Sequence, residues 1–321
     1  MTTGSGAIPA YDALGSDGAA PAGTSWGLFG NDLGALNLTS ASAIARAARS
    51  VRRGAVFSLN LETTLPDPPI LGRGALDHHH VDLDGGGFDD YYDAFYPQAS
   101  SQWDALGHCR HPELGFYQGH DEYAVTDPDE PVLGIDQWAR RGIAGRFVLA
   151  DVAGHLARRG TPLDAATSFG IDTELLDEVL AAQGSALEPG DILLVNTGWI
   201  PWYRGLDAPG RRALAEQGEA FAAPGLDPAE ETARWLWDHR VAAIAADCPA
   251  VERMPFDKSA EDGFLHLRLI PKLGLALGEL FDLEALAVDC AADGRYDGLL
   301  TAAPLNTPGG AGSTANALAL K

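Results

Sequence analysis

Basic residues are scarce in this sequence. Its 321 residues hold 22 Lys plus Arg against 45 Asp plus Glu, for a formal net charge of −23, and only Lys258, Lys272 and Lys321 are lysines. Such a charge repels phosphate backbones and anionic lipid surfaces, which argues against nucleic acid and membranes as partners. The preference for arginine over lysine reads as GC-rich bacterial coding. No apolar run reaches the ~18 residues of a membrane span, and no basic stretch followed by an apolar core opens the chain. Cysteine is equally sparse: Cys109, Cys248 and Cys290 form no CxxC pair, so neither a disulfide framework nor a cysteine zinc site is expected. Free thiols suit a reducing, cytoplasmic setting.

The apolar fraction, 46%, is ample for a core. Residues 1–24, rich in Gly, Ala, Pro and Ser, read as a flexible arm that could wrap a neighbouring subunit, and residues 25–321 as a single domain. Ser40 or Thr39 can cap a helix in SASAIARAARSVRR, and AVFSLNLET (55–63) alternates as a half-buried strand should. Residues 65–135 show little periodicity and many Gly, Pro, Asp and His residues, so they read as a long functional loop. From residue 143 the runs IAGRFVLADV, DILLVNTGW (191–199) and VAAIAAD (241–247) look like strands buried on both faces. Helical stretches separate them, DTELLDEVLAAQG and DPAEETARWLWDHR, each opened by an aspartate able to cap it. A helix over 282–288 and a last strand near YDGLLTAAPL complete an α/β order.

Several groups of residues could do chemistry. In SQWDALGHCRHPELGFYQGH (101–120), Asp104 and His108 are four apart, within reach of one point if the backbone turns helically, and His111 follows. Glu279 lies in an apolar, glycine-rich segment downstream of His266, where an ionised carboxylate needs a cation or donor; Arg268 is one candidate partner. His78, His79 and His80 are consecutive, so at most two can face one ligand in an extended segment, and a polar turn is the plainer reading. Covalent catalysis has little support. Cys109 and His108 diverge as chain neighbours, and the turn after the strand in VNTGW carries Thr197 where a nucleophile elbow would carry serine.

Taken together, SWGLFGNDLGALNLTS, SQWDALGH, GDILLVNTGW and HLRLIPKLGLALGE run in the order expected for the cyclase family related to bacterial kynurenine formamidase and isatin hydrolase, which the chain resembles from about residue 25 to its end. The resemblance implies an α/β swivelling β/β/α fold around a mixed, barrel-like sheet. It also implies a homo-oligomer, dimer or tetramer, and an enzyme that hydrolyses a small amide, imide, formamide or lactone. Metal-dependent members carry HxGTxxDxPxH, often with a further histidine at the fifth position. Laid over this chain, the aspartate falls on Asp104 and the last histidine, the acid/base, on His108. The first and fifth positions fall on Gln98 and Gln102. His266 and Glu279 fall where relatives hold a second metal or orient the water.

Glutamine is a poor zinc ligand beside imidazole but acceptable to Mn²⁺ or Mg²⁺. Three states stay open: a Mn²⁺, Mg²⁺ or Zn²⁺ centre on Asp104, Gln98, Gln102, His266 and Glu279; a metal-free acid/base site; or lost activity. Trp103, Phe116, Tyr117 and Trp199, with Gln102 and with Trp26 reaching in from the arm, are the candidates for substrate contact. Two readings compete with hydrolysis: dehydration or ring closure in secondary metabolism by the same residues, and a catalytically inactive small-molecule binding protein.

Overall fold

The computed structural model describes residues 8–16 and 18–321. Thirteen strands form among them. β1 (Val56–Ser58) precedes a hairpin of β2 (Asp77–Asp82) and β3 (Phe88–Asp93), and β4 (Gln102–Asp104) follows. β5 (Ile143–Asp151) opens the α/β part, in which β6 (Gly170–Ile171), β7 (Ile192–Asn196), β8 (Gly225–Leu226) and β9 (Ala243–Ala246) alternate with helices. β10 (Ala276–Glu279), β11 (Asp297–Ala302), β12 (Gly312–Thr314) and β13 (Ala317–Leu320) complete the set.

Nine of these strands build one mixed sheet in the order β1-β13-β11-β5-β7-β9-β10-β4-β12, curled into a half barrel. Its centre is the parallel run β5, β7, β9 and β10. The near-continuous apolar sequences of β7 and β9 follow from that position, since all their residues are buried. Antiparallel strands flank the run on both sides, and on one side β4 adds to β10.

Ser40 caps the helix Ala41–Ser50 through Ala43 N at 3.1 Å, and Asp172 caps Thr173–Ala182 through Leu175 N at 2.8 Å. The helix Glu230–Asp238 departs from expectation. It starts after Ala229, and Asp227 Oδ1 accepts from Ala229 N at 3.0 Å instead of capping the first turn. The helix expected over 282–288 runs Glu284–Asp293, stopped by Gly294 at φ 71°.

Residues 65–135 are more ordered than their weak periodicity suggests, because they contain the β2–β3 hairpin and β4. The three histidines lie in β2, not in a turn; the reversal comes later, at Asp84 and Gly85 with φ of 51° and 82°. His78 and His80 share a face with Asp90, while His79 on the opposite face stacks on Tyr91 at 4.4 Å between ring centres. Of the expected arm, residues 1–7 and 17 lie outside the described residues. Residues 8–14 are held to the body: Tyr11 and Leu14 are buried, Tyr11 N donates to Asp238 Oδ1 at 2.8 Å, and Trp237 Nε1 donates to Pro9 O at 3.0 Å.

Candidate active site

The register of β4 on β10 builds the first half of the site. Leu277 lies opposite Asp104 and Glu279 opposite Gln102, so Gln102, Asp104 and Glu279 share one face of the sheet. Trp103 and Gly278, the pair between them, point to the other face. Gly278 is small because a Cβ there would lie 2.7 Å from both Ala245 Cβ and the Phe281 ring. Gln102 Nε2 donates to Glu279 Oε2 across the strand pair, which leaves Gln102 Oε1 buried without a donor.

His266 supplies the second half, from the single turn His266–Leu269. Its Nδ1 meets Glu252 Oε2 at 2.8 Å, and its backbone N donates to Glu252 Oε1 at 3.3 Å. Glu252 is fully buried, and its chain comes so close to β8 that a Cβ on Gly225 would lie 2.3 Å from Glu252 C. With Nδ1 fixed in this way, Nε2 points at Glu279 Oε1, 3.2 Å away, and at Asp104 Oδ2, 3.8 Å away. Phe264 stacks on the imidazole at 4.8 Å with the rings 5° from parallel.

His108 closes the group. Its chain does not turn helically: Asp104 ends β4, and a turn brings His108 N to Ala105 O at 2.9 Å. The side chains still converge, with His108 Nδ1 at 3.8 Å from Asp104 Oδ1. Asp104 is wholly buried, and neither of its oxygens has a hydrogen-bond partner within ordinary distance. His108 is 29% exposed, and with His266, Glu279, Phe256 and Phe264 it lines a cavity of about 220 Å³.

The electrostatics separate the roles of these groups. Burial pushes Asp104 up, but His108 and His266 outweigh it and hold the carboxyl below its usual value. Burial, followed by the charge of Asp104, raises Glu279 to about 7, so one of two neighbouring carboxyls keeps its proton near neutrality. Burial lowers His108 despite Asp104, so the imidazole is neutral at pH 7. Burial also opposes the charged form of His266, but Glu252, with Asp104 and Glu279, raises it well above the usual histidine range. A divalent cation fits here: Asp104, His266 and Glu279 each offer a ligand atom within 4.8 Å of the others, and both Asp104 oxygens lack a donor.

The remaining candidates lie elsewhere. Gln98, in the short turn Pro97–Ala99, sits beside Gly312 of the edge strand β12, and no hydrogen bond joins it to Asp104 or Glu279 among the described residues. Trp103 is buried against Phe281 at 5.0 Å, which the alternation of β4 requires. Tyr117 is buried with its hydroxyl 3.3 Å from Ser25 Oγ, and Trp199 is buried against Tyr203; neither they nor Phe116 line the cavity. Trp26 donates from Nε1 to Pro271 O at 2.7 Å. Arg268 pairs with Glu261 at 2.8 Å instead of with Glu279.

Nucleophile chemistry finds no support in the geometry. Burial raises the Cys109 thiol to about 11. Thr197 Oγ1 donates to Asp247 at 2.7 Å. The string GTSWG at 23–27 does match GxSxG, but Ser25 Oγ is buried and donates to Leu273 O at 2.8 Å. Glu252 and Phe264, which hold and stack on His266, are candidate-site residues that the sequence reading missed. Glu252 lies in CPAVERMPF, an apolar stretch holding a carboxylate, and that is the same signal that singled out Glu279.

The family described as "Putative cyclase" matches residues 57–253. A solved structure described as a novel cyclase is 31% identical, with a TM-score of 0.78, covering 91% of this chain and 94% of its own. The isatin hydrolase A of Labrenzia aggregata is 17% identical over 87% of this chain and 96% of its own, with a TM-score of 0.57. That of Ralstonia solanacearum is 17% identical over 87% and 95%, with a TM-score of 0.58; both show the shared fold. No curated protein matches the chain by sequence. With the family match spanning more than half of the sequence and a 31% identical cyclase structure superposing on nine-tenths of it, the chain belongs to the cyclase family.

Proposed function

We propose that the chain is a hydrolase that opens the C–N or C–O bond of a cyclic or aryl amide, imide, formamide or lactone with an activated water. One observation carries this reading. A wholly buried carboxylate with no hydrogen-bond partner, Asp104, stands between two imidazoles and beside Glu279, behind the His108, His266 and Glu279 side chains that line a cavity of small-molecule size.

In this reading His108 is the mobile acid/base. It is neutral and partly exposed, so it can take a proton from water, and Asp104 beside Nδ1 stabilises the imidazolium that results. The same proton then passes to the leaving nitrogen or oxygen. His266, held by Glu252, keeps Nε2 directed at the two carboxyls. Glu279 and Gln102 are tied to each other, and because Gln102 Nε2 is spent on Glu279, its free Oε1 is an acceptor and not a donor for a substrate carbonyl. A divalent cation held by Asp104, Glu279 and His266 Nε2 would supply Lewis acidity and a more acidic water. One imidazole among oxygen donors suits Mn²⁺ or Mg²⁺ better than Zn²⁺.

The test is turnover on a panel of formyl-kynurenine, isatin, small lactones and cyclic imides in ¹⁸O-labelled water, with and without added Mn²⁺. Hydrolysis places label in the carboxylate or formate formed. Loss of water from a panel substrate, or closure of its ring, would overturn hydrolysis in favour of dehydratase or cyclase chemistry.

A further inference from the structure

Arg73 is a cation with no direct partner among the described residues. It lines the same cavity as His108, His266 and Glu279, yet its guanidinium makes no hydrogen bond or ion pair among the described residues, and its Nη1 is buried. Arginine carries five donors in a rigid fork and stays charged at any ordinary pH, so an unpaired buried Nη1 is costly unless something meets it. The other basic groups of the cavity are already paired: His266 lies between Glu252 and Glu279, and Lys258 Nζ lies 2.6 Å from Glu219 Oε1 and stands over the Phe256 and Phe264 rings at 5.2 and 5.8 Å.

The chain holds Arg73 there at a cost. Leu71, another cavity residue, takes φ of 60°, Gly72 follows at 72°, and Arg73 N closes the turn onto Ile70 O at 3.3 Å, with Ile70 fully buried. A leucine in the left-handed region is strained, and such strain persists where the surroundings impose it. The charge also reaches the centre, since Arg73 helps to lower both Asp104 and Glu279. On a protein of net charge −23, a cation left free gives an anion entering this cleft a point of attraction.

We propose that Arg73 binds a carboxylate on the substrate, apart from the bond that is cleaved, and so selects carboxylate-bearing cyclic or aryl amides and lactones. Leu71, Phe256 and Phe264 supply the apolar wall for the ring. This rests on the reading of the cavity as the active site, deepens it, and is tested by binding as well as by turnover.

The probes are benzoate and the isosteric neutral benzamide, titrated by calorimetry or ligand-observed NMR into protein kept in chelator, so that no metal can hold the carboxylate. The wild type is expected to prefer benzoate by about tenfold or more, as a charge-assisted forked contact allows. R73Q is expected to erase the preference while leaving benzamide affinity unchanged, and R73K to restore part of it; circular dichroism on both variants checks the fold. Equal affinity for the two probes in the wild type would overturn the proposal. So would an undiminished preference in R73Q, which would leave Arg73 only screening the buried carboxyls. If the Arg73-dependent preference holds while the hydrolysis panel shows no turnover, the substrate-class inference survives and the hydrolase reading fails.

Discussion

Replacing Glu279 by glutamine should cost activity and gain stability, with a gain that depends on pH. Burial and Asp104 raise the Glu279 carboxyl from 4.5 to about 7. A carboxyl whose folded pKa lies above its unfolded one binds protons more tightly when folded. The contribution is therefore fully present below about 4.5 and is lost as pH rises through about 7. With each tenfold change in proton affinity worth about 1.36 kcal/mol, the rise from 4.5 to about 7 makes the penalty above neutrality about 3 kcal/mol. The amide that replaces the carboxyl in E279Q can keep both contacts: its oxygen can accept from His266 Nε2, and its nitrogen can donate to Gln102 Oε1 once the Gln102 amide turns over. In chelator, E279Q and wild type should melt within a degree or two of each other at about pH 4.5. By about pH 8.5 the variant should lead by several degrees, at roughly 1.5 °C per kcal/mol for a chain of 321 residues. Thermal scans across that range read this directly. A variant that melts no higher than wild type at the alkaline end, or parallel pH profiles, would refute the argument that Glu279 is an ionisable group held at a cost.

Three further outcomes follow from the geometry. H108A should lower turnover by about 10² or more while leaving thermal stability nearly unchanged, because the side chain is partly exposed; steady-state kinetics and a melting curve check both halves. E252Q should reduce Mn²⁺ affinity or turnover by about 10- to 100-fold although Glu252 touches no substrate, since it orients His266, and metal titration followed by calorimetry measures this. W103A should cost about 3–5 kcal/mol in denaturant unfolding and leave substrate preference alone, because Trp103 faces the core and Phe281.

Much of the candidate site was legible in the residues, for definite reasons. Asp104 and His108 stood out by type and spacing, and Glu279 because an apolar run rarely holds an unpaired carboxylate. Their union across β4 and β10 depends on a register between strands far apart in the chain, with Gln102 and Glu279 separated by 177 positions; local periodicity does not contain it, and only the resemblance supplied it. The central strands β5, β7 and β9 announced themselves as apolar runs because both faces are covered. The hairpin β2–β3 escaped because most of its residues are exposed and polar, so no apolar alternation marks it. The aromatic wall was misplaced for a related reason: Trp103 is bracketed by two site residues, and in a strand that places it on the opposite face. Glu252 and Arg73 lie in irregular turns, where pattern carries no information about direction.

The central claim is that His108, working against Asp104, moves the proton of a water that attacks the substrate. The most direct test compares wild type with H108A and D104N on the hydrolysis panel in ¹⁸O-labelled water. The account predicts one labelled oxygen in the wild-type product and turnover reduced by about 10² or more in both variants. Product without label, or variants that turn over at the wild-type rate, would contradict it.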